Sequence, residues 1–495
     1  MKLTKLIRPL SLYGFLLSGI LNAHNLDSLF IQSLAFAEQQ LDSSVFEIGD
    51  ATRFARSTDE NGNWITKSSG SWTSGFFPGC LWNLYVYTSD EYWKDWAQFW
   101  TAGMTSEQYD TGTHDVGFKM FCSFGRGYLL AGEEEYKPVI LQSAQSLATR
   151  FNSNVGCIRS WNNRTFPVII DNMMNLELLF WASKHGGGSA LYDMAVSHGL
   201  RTMEDHVRTD GSTYQIVDYN PTTGTVIQKE TGQGYTTEST WARGQSWGLY
   251  GFTMAYRHTG DNRFLETACK LADFVVDHLP EDYVPYWDYF APNIPNEEKD
   301  ASAAAIAASG LLELSGLVDS TELQAKYWNT AENILASLSS DSYLAVSSNS
   351  SGILLHGVGN HNSDSEVDVS LIYADYYFLE ALLRHQGLIN PALSTREFAG
   401  ITPVKIKLLP NYPNPFNPVS TIRYELPQAT DVSLIVNDLL GREVVRLVDA
   451  YMEPGYHQIQ WNGRDQRGRE VPTGIYIARL VTPAYSESIK MVLLK

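Results

Sequence analysis

Cysteine is scarce in this chain. Only Cys80, Cys122, Cys157 and Cys269 occur in 495 residues, widely spaced and without a C-x-x-C pair. That spacing excludes the common zinc modules and gives no disulfide framework. Basic residues are also under-represented: 36 Lys and Arg face 55 Asp and Glu, a net charge of −19. Such a balance argues against nucleic acid and against anionic membrane surfaces as partners. It also means that an anionic substrate needs a local pocket of cations or hydrogen-bond donors. A long apolar run is missing too. The opening stretch, "MKLTKLIRPLSLYGFLLSGILNAHN", is too short for a membrane span. Lys2, Lys5 and Arg8 ahead of an apolar run ending near Ala23 instead give the pattern of an export signal over 1–23, although Leu21 is larger than a usual cleavage-site residue.

Aromatic residues are plentiful at 12%, with 13 Trp and 27 Tyr, a usage that suits sugar-stacking surfaces and large helical cores alike. From 27 to 386 the chain alternates helical-period apolar segments with polar loops. The periodicity predicts about twelve helices, near 27–42, 74–88, 90–107, 117–131, 136–151, 171–185, 189–207, 240–259, 263–278, 300–317, 321–339 and 366–385. Between them, "GSTYQIVDYNPTTGTVIQKE" reads as two short strands around a turn. Twelve helices in six pairs suggest a closed double ring, and the even-numbered ones are the more apolar. "DASAAAIAASGLLELSG" is small and apolar on nearly all sides, as a buried helix is. A linker is expected over 387–408. From 409 to 495 short alternating strands with Gly, Pro and Asp turns predict a small antiparallel β-sandwich.

An aspartate opens the apolar segment "IIDNMMNLELLFWAS", and a helix cap is the plain explanation for one such residue. The other even helices open in a related way. "SWTSGFFPG" carries Trp72, "THDVGF" carries His114 and Asp115, and "IIDNMMN" carries Asp171 and Asn175. "GQGYTTESTWARGQSW" holds Gln233, Glu238, Trp241, Arg243 and Trp247. Asp300 follows "PYWDYFAP", and "HNSDSEVDVS" holds Ser365, Glu366 and Asp368. In a double ring the inner helices run parallel, so these clusters converge on one mouth. Two carboxylates there suit general acid/base chemistry on a sugar, one protonated in a drier setting and one ionised. Trp72, Trp241 and Trp247 can stack on a pyranose or serve as core. Arg243 can fork onto a substrate carboxylate or pair with Glu238 or Asp300.

These stretches, with "SEVDVSLIYADYYFLEALLR", resemble glycoside hydrolase family 88, the unsaturated glucuronyl hydrolases, over about 30–386. The resemblance implies an all-α (α/α)6 barrel, no metal and no organic cofactor. It implies an unsaturated uronic-acid-terminated oligosaccharide as substrate, its C4=C5 double bond left by a polysaccharide lyase and hydrated by this enzyme. Matched residue by residue, Asp171 takes the general acid/base position and Asp115 that of the second essential carboxylate. Trp72, Gln233, Arg243 and Trp247 match the uronate subsite. Gln215, also expected at the substrate, stands where many members carry His; as an amide it can hydrogen-bond a sugar hydroxyl or carboxylate but cannot become a cation. Gly232 stands where a His often precedes the Gln, so both changes bear on the preferred disaccharide and the pH profile. An unsaturated rhamnogalacturonyl hydrolase and a non-catalytic carbohydrate-binding surface protein are the alternatives. The tail, "LPNYPNPFNPVSTIRYELP" to "KMVLLK", resembles a type IX secretion sorting domain with an immunoglobulin-like sandwich. It implies a secreted or cell-surface protein with the type IX machinery as partner.

Overall fold

The computed structural model describes residues 11–389, 406–408, 411 and 414–494, with side chains from Leu26 onward except at 423, 425, 455, 456 and 458. The chain divides into two compact units, Met1–Ala392 and Leu393–Lys495. Part of the expected export signal (residues 1–10) and most of the expected linker (390–405) lie outside the described residues.

Twelve α-helices occur among the described residues of the first unit. They are α1 (Ser11–Ile48), α2 (Phe76–Thr88), α3 (Glu91–Ala102), α4 (Val116–Met120), α5 (Lys137–Ala148) and α6 (Asn172–Ala182). The series continues with α7 (Ser189–His206), α8 (Ala242–Thr259), α9 (Asn262–His278), α10 (Ala301–Ser315), α11 (Thr321–Leu338) and α12 (Ile372–His385). Wider π-type turns extend α4 through Ala131. The even helices touch one another in a closed cycle, α2 to α4 and its extension, then α6, α8, α10, α12 and back to α2. The odd helices pack outside them. This is a helical barrel of six inner and six outer helices.

Burial separates the two rings. Every residue of α10 is buried, as are Ala242–Ala255 of α8. Small side chains permit this crowding: a Cβ on Gly251 would lie 2.4 Å from Met173 Cβ, so α6 and α8 approach at a distance only glycine allows. The outer α9 is amphipathic, burying Phe264, Ala268, Leu271 and Val275 at helical spacing.

The N-termini differ in part. Outer helices α3, α9 and α11 begin with side-chain caps from Asp90, Asp261 and Ser320, whereas outer α5 and α7 do not. Inner helices α2, α4, α6, α8 and α12 begin without one, and only α10 is capped, by Asp300.

Three short strands position the mouth: β5 (Pro167–Ile169), β6 (Ile216–Tyr219) and β7 (Val226–Glu230), joined in an antiparallel sheet after the hairpins β1 (Phe54–Thr58)–β2 (Trp64–Lys67) and β3 (Phe151–Asn152)–β4 (Cys157–Ile158). In the second unit β8 (Lys407–Leu408), β9 (Ser420–Leu426) and β12 (Gly455–Trp461) form one antiparallel sheet. Strands β10 (Thr430–Asp438), β11 (Glu443–Met452), β13 (Gly474–Thr482) and β14 (Tyr485–Leu493) form another. Tyr476, Ala478 and Leu480 alternate inward along β13 and share one core with Ile422 and Trp461 of the other sheet.

Candidate active site

The strands deliver Asp171 to the mouth. Ile170 N donates to Gln215 O at 3.0 Å, which holds the end of β5 against β6, and the chain turns into α6 one residue later. Asn172 anchors that turn from below, its Nδ2 donating to Ile158 O at 2.9 Å and to Ser160 Oγ at 3.0 Å. Asp171 begins the helix but makes no capping bond, so the capping explanation does not account for it. Its Oδ1 is buried and has no hydrogen-bond partner. Burial, reinforced by the charge of Asp115 and opposed by Arg243, pushes its pKa up to about 7. A carboxylic acid that keeps its proton near neutrality is thereby placed at the mouth.

Asp115 has a different environment. It likewise makes no capping bond. Its Oδ2 accepts from Thr113 Oγ1 at 2.9 Å, and its Oδ1 lies 3.2 Å from His114 Nε2. His114 is fully buried with Nδ1 3.1 Å from Ser160 O, and burial lowers its pKa. The two aspartates are brought near one another by a close helix contact. Phe118 N donates to Asn175 Oδ1 at 2.8 Å, and a Cβ on Gly117 would lie 2.6 Å from Asn175 Cα.

Arg243 is 2% exposed and heavily engaged. Its Nη1 donates to Asp300 Oδ2 at 3.1 Å and to Val358 O, and its Nη2 donates to Gly359 O at 2.6 Å. The guanidinium also stacks over Trp241 (4.6 Å) and faces Tyr373 (5.2 Å). Of the two ion-pair partners considered from sequence, Asp300 is the one used; Glu238 is exposed. Trp72 is half-buried at the rim against Tyr373 and Phe118. Trp247 is 1% exposed between Phe118 and Tyr377, so its ring belongs to the packed floor. Gln233 and Gln215 are bonded to each other, Gln215 Nε2 to Gln233 Oε1 at 2.7 Å.

The loop before α12 closes one side. Glu366 accepts from Arg56 Nε and Nη2 at 2.6 and 2.9 Å and from Ser57 Oγ at 2.9 Å. Glu366 and Asp368 both have positive φ, 57° and 56°, and Asp368 pairs with His356 Nδ1 at 2.5 Å. Ser365 only continues the backbone ladder with Asn360. Among the described residues one group, Glu297, Glu298 and His361, brings potential metal-ligand atoms within 4.8 Å of one another. Those atoms already have partners: Glu297 accepts from Trp287 Nε1, and His361 Nε2 lies 3.0 Å from Glu298.

Three neighbours of the mouth carried no usable sequence signal. Arg56 lies some three hundred residues from Glu366. Tyr373, whose buried hydroxyl has no partner, sits inside an aromatic-rich helix. Trp161, half-buried with its ring edge-on to His114 at 6.5 Å, follows a loop without periodicity.

The model of Glycosyl Hydrolase Family 88 matches residues 50–380. The chain is 44% identical over 329 residues to the unsaturated glucuronyl hydrolase of Formosa agariphila, covering 65% of this chain and 81% of that protein. Its fold is similar to a crystal structure of an unsaturated glucuronyl hydrolase specific for heparin, with TM-score 0.71, 42% identity and coverage of 73% and 98%. It is also similar to the unsaturated glucuronyl hydrolase of Bacillus sp. GL1, responsible for the degradation of glycosaminoglycan, with TM-score 0.70, 31% identity and coverage of 74% and 100%.

Proposed function

The chain belongs to glycoside hydrolase family 88 and removes unsaturated uronic acid from oligosaccharides; from that premise we propose that it does so by hydrating the C4=C5 double bond, with Asp171 as acid and base. The observation that carries this reading is the buried carboxyl at the mouth: Asp171 Oδ1 has no hydrogen-bond partner, and burial pushes its pKa up to about 7. Asp171 gives its proton to C4, and the oxocarbenium character that develops at C5 is met by water, whose proton returns to Asp171. The new hemiketal opens: the C5–O ring bond breaks, C5 becomes a ketone, and C1 is left as a hemiacetal that expels the aglycone alcohol. The anomeric carbon is never attacked, so the carboxylate-separation rule for glycosidases has no bearing here.

Asp115, hydrogen-bonded by Thr113, holds water and sugar hydroxyls in place. The positive ends of the inner-helix dipoles gather at the mouth, which favours the anionic uronate. Arg243 adds long-range positive charge and braces the wall, and Trp72 offers a face at the rim. Turnover on lyase-generated disaccharides of chondroitin, hyaluronan, heparin and rhamnogalacturonan types tests this reading through loss of the C4=C5 ultraviolet absorbance. Loss on uronyl-hexosamine substrates is expected; loss on the rhamnogalacturonan type alone would transfer the assignment.

The tail reading is also ours: residues 1–23 direct export, and 409–495 form an immunoglobulin-like sorting domain for type IX secretion. Two antiparallel sheets with a shared core support it. Deleting 409–495 should keep turnover in cell extracts and abolish activity outside the cell. Export of the shortened chain at the full-length level would remove the sorting role.

A further inference from the structure

Gln215 is 3% exposed, and its carbonyl oxygen is the acceptor for three donors of one turn. Thr231 Oγ1 lies at 2.8 Å, Gly232 N at 2.7 Å and Gln233 N at 2.9 Å. Two of these are backbone N–H groups, which only donate. The atom they meet must therefore be the amide oxygen, and the orientation of the Gln215 amide follows without choice. Its Nε2 then points at Gln233 and donates to Oε1 at 2.7 Å. That contact in turn orients Gln233, whose Nε2 donates to Gly359 O at 3.0 Å, the same carbonyl that accepts from Arg243 Nη2. One directional chain thus runs from the 231–233 turn through two amides to the loop that holds Arg243.

We propose that Gln215 is a positioning residue that acts on the substrate only through Gln233, by fixing which atom of the Gln233 amide faces the sugar. This rests on the reading of Gln233 as a uronate-subsite residue. No other side chain of similar size serves both ends. Glu accepts from the turn but, ionised, cannot donate to Gln233. Neutral His accepts at one nitrogen only, so it cannot gather the three donors. Met fills the space and does neither. Because the chain is neutral throughout, substrate binding at this wall is independent of pH, in contrast to Asp171.

The test is a double-mutant cycle on the full chain, with an unsaturated disaccharide that the unmodified enzyme turns over. Gln215→Met should raise KM about tenfold with kcat changed less than about twofold. In a Gln233→Met background the same substitution should change kcat/KM by less than about twofold, because the intermediary is gone. Gln215→Glu provides the second arm: its kcat/KM relative to the unmodified enzyme should rise as pH falls, since a protonated Glu regains the donor. Circular dichroism and the thermal midpoint check that each variant folds. Additive losses in the cycle would mean that Gln215 touches sugar itself and would overturn the proposal. A Gln233→Met variant with unchanged KM would overturn it too, while leaving the hydration reading intact if the unmodified enzyme is active.

Discussion

Both ends of the inner ring bury charge, and they treat it in opposite ways. At the C-terminal ends of the inner helices Arg257 donates to Glu177 at 2.8 Å and to Glu313 at 2.6 Å. Arg384 lies 3.1 Å from Glu313, and Arg126 lies 3.2 Å from Glu380. Three guanidinium groups meet three carboxylates. Although burial alone would raise Glu177, the Arg257 guanidinium outweighs it and holds that carboxyl well below its ordinary value. At the N-terminal mouth Asp171 is buried beside Asp115, and Arg243 is occupied by Asp300 and two carbonyls. Its carboxyl rises where that of Glu177 falls. The same residue types on the same helices are a strut at one end and a reactive group at the other, and the difference is whether a counter-charge is in contact.

Removing the uncompensated carboxyl should have the largest effect. Asp171→Asn should lower kcat by about three orders of magnitude with an unchanged circular dichroism spectrum, the span expected for losing an acid/base group. Residual activity within tenfold would take Asp171 out of that role. At the compensated end, Arg257→Met leaves Glu177 and Glu313 buried without their partner. Denaturant unfolding should show a loss of about 3–5 kcal/mol, while kcat of the folded enzyme stays within about threefold. A stable Arg257→Met would mean that water reaches this end and the contrast is false.

The pH response is the smaller effect and moves rate and stability the same way, both falling as pH rises. The native Asp171 pKa is about 7 against an ordinary 3.8. Between those values the folded state binds more protons than the unfolded one, so Asp171 makes stability fall as pH rises, with the full penalty present above about 7. Asp171→Asn should therefore raise the thermal midpoint by a few degrees at pH 8 and change it little at pH 4. In the unmodified enzyme kcat should fall as pH rises through about 7, because only the protonated acid reaches C4. A pH-independent difference in midpoint would show that the carboxyl is solvated.

Much of the helical unit was readable from periodicity alone. All twelve expected helices are present, from the all-round apolar α10 to the amphipathic α9, and the hairpin near 211–230 appears as β6 and β7. The starts of α2, α4, α6, α8 and α10 lie within two residues of those expected, because these helices carry their polar clusters at one end, whereas α12 begins later than expected, at Ile372, and α1 earlier, at Ser11. The expected 117–131 segment shows where periodicity falls short: α4 changes to wider π-type turns after Met120, which apolar spacing does not encode. Within the mouth, Asp171 and Asp115 stood out as polar residues at the heads of apolar helices. Arg56 did not, because its meaning comes from Glu366, a partner far away in sequence.

Sequence by itself determined the composition of the two rings, the position of each polar cluster at a helix start, and the residue types available for proton transfer. These follow from local spacing, since an apolar stripe and a chain-breaking loop act within a few residues. Only the tertiary structure decided which of those residues is left without a partner. Asp300, Asp115 and Asp171 all stand at the heads of inner helices. Asp300 caps its helix and pairs with Arg243, Asp115 is held by Thr113, and Asp171 alone of the three keeps a buried oxygen unsatisfied. Burial and counter-charge are sums over every neighbour that closure of the ring brings in, and no local stretch of sequence contains them.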